Sequence, residues 1–197
     1  KKIHGILTFL IEEDAGKLLH DDSFAGSLVD LNRCGVPLIE IVSEPDIRSV
    51  AEAKAYLETI RSILQYINIS DCKMQEGSIR CDVNVSVHKI GEPFGTRCEM
   101  KNVNSFSAAI RGIEFEANRQ IEVLENGGII EQETRRWDDA KGESILMRTK
   151  ENANDYRYFP EPDLLTIVVD EEKIAELKNS LPELPNGEPA NSPISGW

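Results

Sequence analysis

The sequence predicts an α+β protein on a largely antiparallel sheet, and three observations carry that prediction. Residues 80–88 and 96–102 each alternate apolar and polar side chains across a turn signal. Residues 49–67 and 104–124 repeat apolar residues every three or four positions. No Gly-rich loop joins a strand to a helix, so neither the Rossmann fingerprint nor the P-loop is present.

Residues 6–11 form an apolar run that ends in Glu12-Glu13-Asp14, which reads as a buried strand with an acidic end. Residues 16–27 are polar and turn-rich and read as a loop. Residues 36–42 are a second apolar strand with Pro37 near its start, where proline is tolerated. Ser49 and Glu52 match the S-x-x-E capping box, and Ala53, Leu57, Ile60, Leu64 and Ile67 follow as one apolar face. In the predicted hairpin, Cys81, Val83, Val85 and Val87 lie on one face of the first strand, opposite Arg80, Asp82, Asn84, Ser86 and His88. On the second, Arg97, Glu99 and Lys101 oppose Cys98 and Met100.

A second helix begins near Asn104 as N-cap, with Phe106, Ile110, Ile113, Ala117, Ile121 and Leu124 as its stripe. Asn126-Gly127-Gly128 stops it. Residues 129–137 and 144–148 predict a further hairpin, residues 166–169 a short strand, and Asp170 the cap of a short helix carrying Ile174 and Leu177. Four of the nine prolines fall in residues 182–193, so residues 181–197 read as a linker behind one domain at residues 1–180.

Lys and Arg number 22 against 35 Asp and Glu, a net charge of −13. That balance excludes a broadly basic nucleic-acid surface and leaves room only for a local patch. No apolar run is long enough for a membrane span. Cys34, Cys72, Cys81 and Cys98 form no C-x-x-C pair and read as reduced thiols of a cytoplasmic protein. With three histidines in no i, i+4 pair, a bound metal would need carboxylates, which favours Mg2+ or Mn2+.

Four clusters could carry chemistry. Glu12-Glu13-Asp14 reads as a cation site or a solvated acidic loop. Glu40, between Leu38-Ile39 and Ile41-Val42, needs a cation, a strong donor or a proton if buried, and nothing if its face is wet. Arg80, Asp82, Asn84 and Ser86 beside Arg97, Glu99 and Lys101 suit a pocket for a polar, phosphate-bearing ligand as well as a salt-bridged exposed face. The loop at residues 155–163 mixes aromatics, an arginine and acids; such a segment can stack on bases or adenine, and the preferred reading is a structured loop whose tyrosines plug a core edge.

Several strings then resemble one family. They are Glu12-Glu13-Asp14-Ala15-Gly16-Lys17, Leu28-Val29-Asp30-Leu31-Asn32-Arg33, Pro37-Leu38-Ile39-Glu40-Ile41-Val42-Ser43-Glu44-Pro45-Asp46 and Glu76-Gly77-Ser78-Ile79-Arg80-Cys81-Asp82-Val83-Asn84. Glu99-Met100-Lys101-Asn102-Val103-Asn104-Ser105-Phe106, Gln132-Glu133-Thr134-Arg135 and residues 155–164 continue the series. Together, across residues 2–184, they resemble the B subunit of the aspartyl/glutamyl-tRNA amidotransferases.

The resemblance implies a glutamine-synthetase-like catalytic cradle. It implies three partners: misacylated tRNA, a glutaminase A subunit, and a small C subunit. It implies ATP and Mg2+ (or Mn2+), phosphorylation of the side-chain carboxylate of Glu-tRNA(Gln) or Asp-tRNA(Asn), and amidation by ammonia. Carried over by position, Glu13 and Glu40 are expected as metal ligands and, with Lys17, as catalytic residues. Arg80, Asp82, Asn84, Glu99 and Lys101 are expected to face the nucleotide, with Glu12 and Asp14 close to the metal. The family's usual Arg-x-His ahead of the E-E-D is replaced here by Phe9-Leu10-Ile11. The family's opening strand and its tRNA-gripping tail are expected to lie outside this sequence. The alternative expectation is a non-catalytic fragment that docks other subunits or tRNA.

Overall fold

The computed structural model describes residues 4–20, 26–149, 165–166 and 168–183. They fall into two compact units, one up to Ile47 and one from Arg48 onward. The chain is α+β, with three small sheets and three α-helices among the described residues.

The first unit holds β1 (Ile6–Glu13), β2 (Lys17–His20), β3 (Ser27–Asp30) and β4 (Pro37–Ser43). β1 pairs antiparallel with β4, and β2 with β3, so the segment at residues 16–27 that the sequence presents as a loop holds β2 and the first residue of β3. Two strands of four residues are too short to show a period. His4 Nδ1 and the Gly5 amide both bond the Asp46 carboxylate at 3.0 Å, clasping the start of β1 to the end of β4. β1 is not the buried strand that its apolar run suggests: Phe9 is 58% and Ile11 85% exposed. Burial needs a covering layer as well as apolar residues, and β1 has one hydrogen-bonded neighbour.

In the second unit α1 (Val50–Tyr66) starts at Ser49, whose Oγ accepts from the Glu52 amide at 3.2 Å. The Glu52 carboxylate accepts in turn from the Arg48 amide at 2.6 Å, so the expected cap closes one residue further out. A 3₁₀ turn at Met74–Glu76 leads to β5 (Val83–Val85) and β6 (Cys98–Lys101), the expected antiparallel hairpin in shortened form. α2 (Phe106–Glu125) follows, capped by Ser105 where the sequence points to Asn104. β7 (Glu133–Asp138) and β8 (Glu143–Thr149) form the second expected hairpin.

The sheet order is β5-β6-β7-β8, and β6 and β7 run parallel with α2 as the crossover between them. The sheet is therefore mixed at that one pairing; parallel neighbours need a connection of about a dozen residues or more, and α2 provides it. Thr166, Val168 and Val169 are not in a strand. Asp170 does cap α3 (Glu171–Ser180), accepting from the Lys173 amide at 2.8 Å. The loop at residues 155–163 and the linker beyond Glu183 lie outside the described residues.

The core sits between α2 and the sheet, where Val103, Ala108, Ala109 and Trp137 cluster with Leu57, Val83 and Phe115 around them. The Phe115 and Trp137 rings meet edge-on at 5.9 Å. The deepest line of α2 is Ala108, Gly112, Glu116 and Gln120, not the predicted apolar stripe, of which Ile121 is 43% and Leu124 44% exposed. Small residues let the helix approach Met100 and Trp137. The two polar ones survive burial because each is fully bonded. No described helix is long and apolar enough to cross a membrane.

Candidate active site

The residues singled out from the sequence divide between the two units. Glu12, Glu13, Asp14, Lys17 and Glu40 belong to the first; Arg80, Asp82, Asn84, Glu99 and Lys101 belong to the second.

In the first unit the β1–β4 register sets Leu10 against Glu40, Glu12 against Leu38, and Glu13 against Pro37. Directly opposed residues share a face and the next residue along takes the other. Glu40 therefore shares its face with Glu12, one diagonal step away. Glu13 lies on the other face with Ile11 and Ile39. The expected Glu13–Glu40 pair is close along the ribbon but divided by it. Asp14 is engaged structurally: its carboxylate holds Arg33 Nε at 2.9 Å, and its peptide groups bond Val36 and Gly35. Lys17 stands on the other ribbon, opposite Asp30. Among the described residues, no three His, Cys, Asp or Glu side chains group as a metal site.

In the second unit four of the five expected residues come together. Asn84 faces Glu99 across β5 and β6. Lys101 Nζ lies 2.9 Å from Asp82 Oδ2 and 3.1 Å from Glu99 Oε1. Thr134 Oγ1 donates to Glu99 Oε2 at 3.1 Å. Partial burial works against the Lys101 ammonium, but its bonds to Asp82 and Glu99 outweigh that and hold its pKa above the ordinary lysine value. Arg80 precedes β5 and is not part of the ladder.

Register extends this face beyond the expected set. Arg136 on β7 stands beside Lys101, Arg148 on β8 opposite Thr134, and Asp138 opposite Glu143. The alternation of Thr134, Arg136 and Asp138 against Arg135 and Trp137 was the available sequence signal. The inward neighbours do different work. Arg135 gives Glu133 a 2.6 Å ion pair and donates from Nε to Ser144 Oγ at 2.8 Å. Ser144 Oγ donates on to the buried Glu116, which also accepts from Arg119 and Gln120. Adjacent arginines thus part company: Arg135 ties the sheet to α2, and Arg136 faces outward.

Beside Arg136, a cleft of about 170 Å³ opens at the carboxyl ends of β6 and β7, lined by Asn102, Asn104, Ser105, Ala108, Arg136, Trp137, Asp138 and Asp139. Asn102, at φ 63°, donates from Nδ2 to the Trp137 carbonyl at 3.1 Å and fixes one wall. Asp139 Oδ1 accepts from Arg111 at 2.5 Å and from Trp137 Nε1 at 2.9 Å; the bond from Arg111 leads in holding its carboxyl below the ordinary aspartate value.

The family described as the GatB/GatE catalytic domain matches residues 1–175, and the chain belongs to it. Over 187 residues the chain is 65% identical to the B subunit of the aspartyl/glutamyl-tRNA(Asn/Gln) amidotransferase of Caldicellulosiruptor bescii, covering 94% of this chain and 39% of that protein. The B subunit of the Lachnoclostridium phytofermentans enzyme is 61% identical over 185 residues, 93% of this chain and 39% of its own. That of Moorella thermoacetica is 57% identical over 189 residues, 94% and 40%. The chain spans about two fifths of the length of these relatives.

Proposed function

We infer that the chain is catalytic sequence from the B subunit of a tRNA-dependent amidotransferase. In this role it activates the side-chain carboxylate of a misacylated Glu-tRNA(Gln) or Asp-tRNA(Asn) for amidation. Its 57–65% identity to B subunits over nearly its whole length carries this reading. A carboxylate is a poor electrophile. Transfer of the terminal phosphoryl group of ATP to its oxygen creates a leaving group. Ammonia then forms the C–N bond as the C–O bond to phosphate breaks, releasing inorganic phosphate. Under this reading the ammonia comes from the glutaminase A subunit, and the complex includes the small C subunit.

The donor set suits a hard divalent cation. Glu12 and Glu40 present carboxylates on one face, and Mg2+ is commonly held by one or two carboxylates with the rest of its shell left to water and phosphate. Such an ion, when bound, neutralises charge on the phosphoryl group in transfer. Glu12 is favoured over Glu13 as the partner of Glu40 because it shares the face. In the second unit, Lys101 would meet negative charge on the ligand, Asp82 and Glu99 fixing its ammonium. Asn84 would offer an amide beside it.

The test uses the full-length protein in its assembled complex. Glu40→Ala and Glu12→Ala are expected to lose ATP-dependent transamidation by more than the roughly 10–100-fold typical of removing an outer-shell partner, with glutaminase activity retained. Glu13→Ala is expected to lose less. Normal transamidation by Glu40→Ala would overturn the assignment.

A further inference from the structure

Arg136 and Asp138 are two positions apart on β7, on the same face, and both line the cleft at the strand ends. Same-face residues on one strand start about 7 Å apart. Among the described residues the Arg136 side chain has neither hydrogen bond nor ion pair, although Asp138 and Asp139 are its neighbours and are bonded elsewhere. Asp138 has no cation partner either. Its Oδ1 accepts the Lys141 amide at 3.2 Å and its carbonyl the Gly142 amide at 2.8 Å, both within the β7–β8 turn.

Several neighbouring charges are matched. Lys101 is held by Asp82 and Glu99, Arg111 by Asp139, and Arg119 and Arg135 by Glu116 and Glu133. Two opposite charges therefore line one small cleft without meeting each other.

We propose that this cleft takes an acidic amino-acid group, its side-chain carboxylate on the Arg136 guanidinium and its α-ammonium on the Asp138 carboxylate. A ligand carrying both charges on a short carbon chain bridges the two groups, which do not pair with each other although Glu133 and Arg135 do at the same spacing on this strand. The planar guanidinium can grip a carboxylate through two parallel bonds. The Asn104 amide and Ser105 hydroxyl, at the cleft wall, provide neutral donors and acceptors for the backbone of such a ligand. This rests on the amidotransferase reading and adds to it the place where the amino acid is read. The same ammonium and carboxylate occur on a free amino acid and on the aminoacyl end of a tRNA.

The experiment uses the full-length protein in its complex, with Arg136→Ala and Asp138→Asn. Asparagine keeps the oxygen that the Lys141 amide needs, so the turn persists while the charge goes; Arg136 is exposed, so its loss leaves the core intact. Each variant is expected to raise the KM for glutamyl-tRNA about 10-fold, the loss of one charge-assisted contact, with affinity for uncharged tRNA unchanged.

Titration with free L-glutamate and with glutarate, which lacks the ammonium, separates the two ends. Arg136→Ala weakens both ligands, and Asp138→Asn weakens glutamate alone. Glutamate binding without tRNA identifies the free amino acid as sufficient; an effect seen only with aminoacyl-tRNA identifies the acylated end. Equal losses for charged and uncharged tRNA, or no change in either variant, overturn the proposal. The amidotransferase reading fails separately, if the wild-type complex forms no amide with ATP present while glutamate still binds with the predicted sensitivity.

Discussion

A carboxylate sealed beneath a helix keeps its charge only if that charge is answered. Glu116, with no exposed surface, is answered by Arg119 at 2.7 Å, Gln120 at 2.8 Å and Ser144 at 3.2 Å, with Arg135 Nε at 3.6 Å. Burial favours the neutral acid, but the bonds from Arg119 and Gln120 prevail and the pKa falls below the ordinary 4.5. The sign follows: this stabilisation is complete above about pH 4.5 and is lost as the pH drops through the lowered folded-state value. Glu116→Gln should cost about 3–5 kcal/mol at neutral pH, since two guanidinium groups lose their buried partner. Urea unfolding at neutral and acidic pH checks both points, the variant showing a smaller acid-dependent loss than wild type.

The cysteines give a second test at this scale. Burial, then Asp82, pushes the Cys81 thiol up to about 11; burial, then Glu116, does the same for Cys98. Cys72 is buried and Cys34 exposed. Iodoacetamide at neutral pH is expected to label Cys34 alone until the chain is unfolded, as read by peptide mass spectrometry.

At the scale of elements, the parts legible in sequence were those whose cause is local. Ser49 and Asp170 cap their helices as their spacing says, because a cap is settled within one turn. The β7–β8 hairpin follows from alternation and a turn. What depends on a neighbour far along the chain was not legible. The α2 stripe is the instructive case: its apolar residues marked a helix correctly but not its deepest side, which is chosen by what Met100 and Trp137 need. A Cβ on Gly112 would stand 3.1 Å from Met100 Cε and 3.6 Å from Trp137 Cδ2. Gly112→Ala sets a helix-propensity gain of about 1 kcal/mol against an overpacking cost of about 1–3 kcal/mol. A lowered melting temperature is expected; a raised one would mean the helix–sheet contact is looser than described.

For the whole molecule, the candidate site was legible in kind but not in partnership. The acids of the E-E-D string and Glu40 stood out because carboxylates beside apolar runs are costly. Which of Glu12 and Glu13 shares a face with Glu40 is a matter of register, and a one-residue slip exchanges them. Asp82, Asn84, Glu99 and Lys101 come together as the alternation of two strands says, whereas the cleft at Arg136 and Asp138 depends on the parallel pairing of β6 with β7, which no local pattern reveals. The net charge of −13 is unevenly answered: Lys101, Arg136 and Arg148 share one sheet face in an otherwise acidic chain.

The Gln120 side chain has a consequence at β5. Its Nε2 donates to the Val85 carbonyl and its Oε1 accepts from the Val87 amide, both at 3.1 Å. A carboxamide on a helix thereby imitates the peptide group that one more strand would bring. Peptide groups at the rim of a sheet are a template for recruiting foreign chains, and here two of them are already spoken for. The helix that closes the core thus also blunts the sheet's capacity to grow.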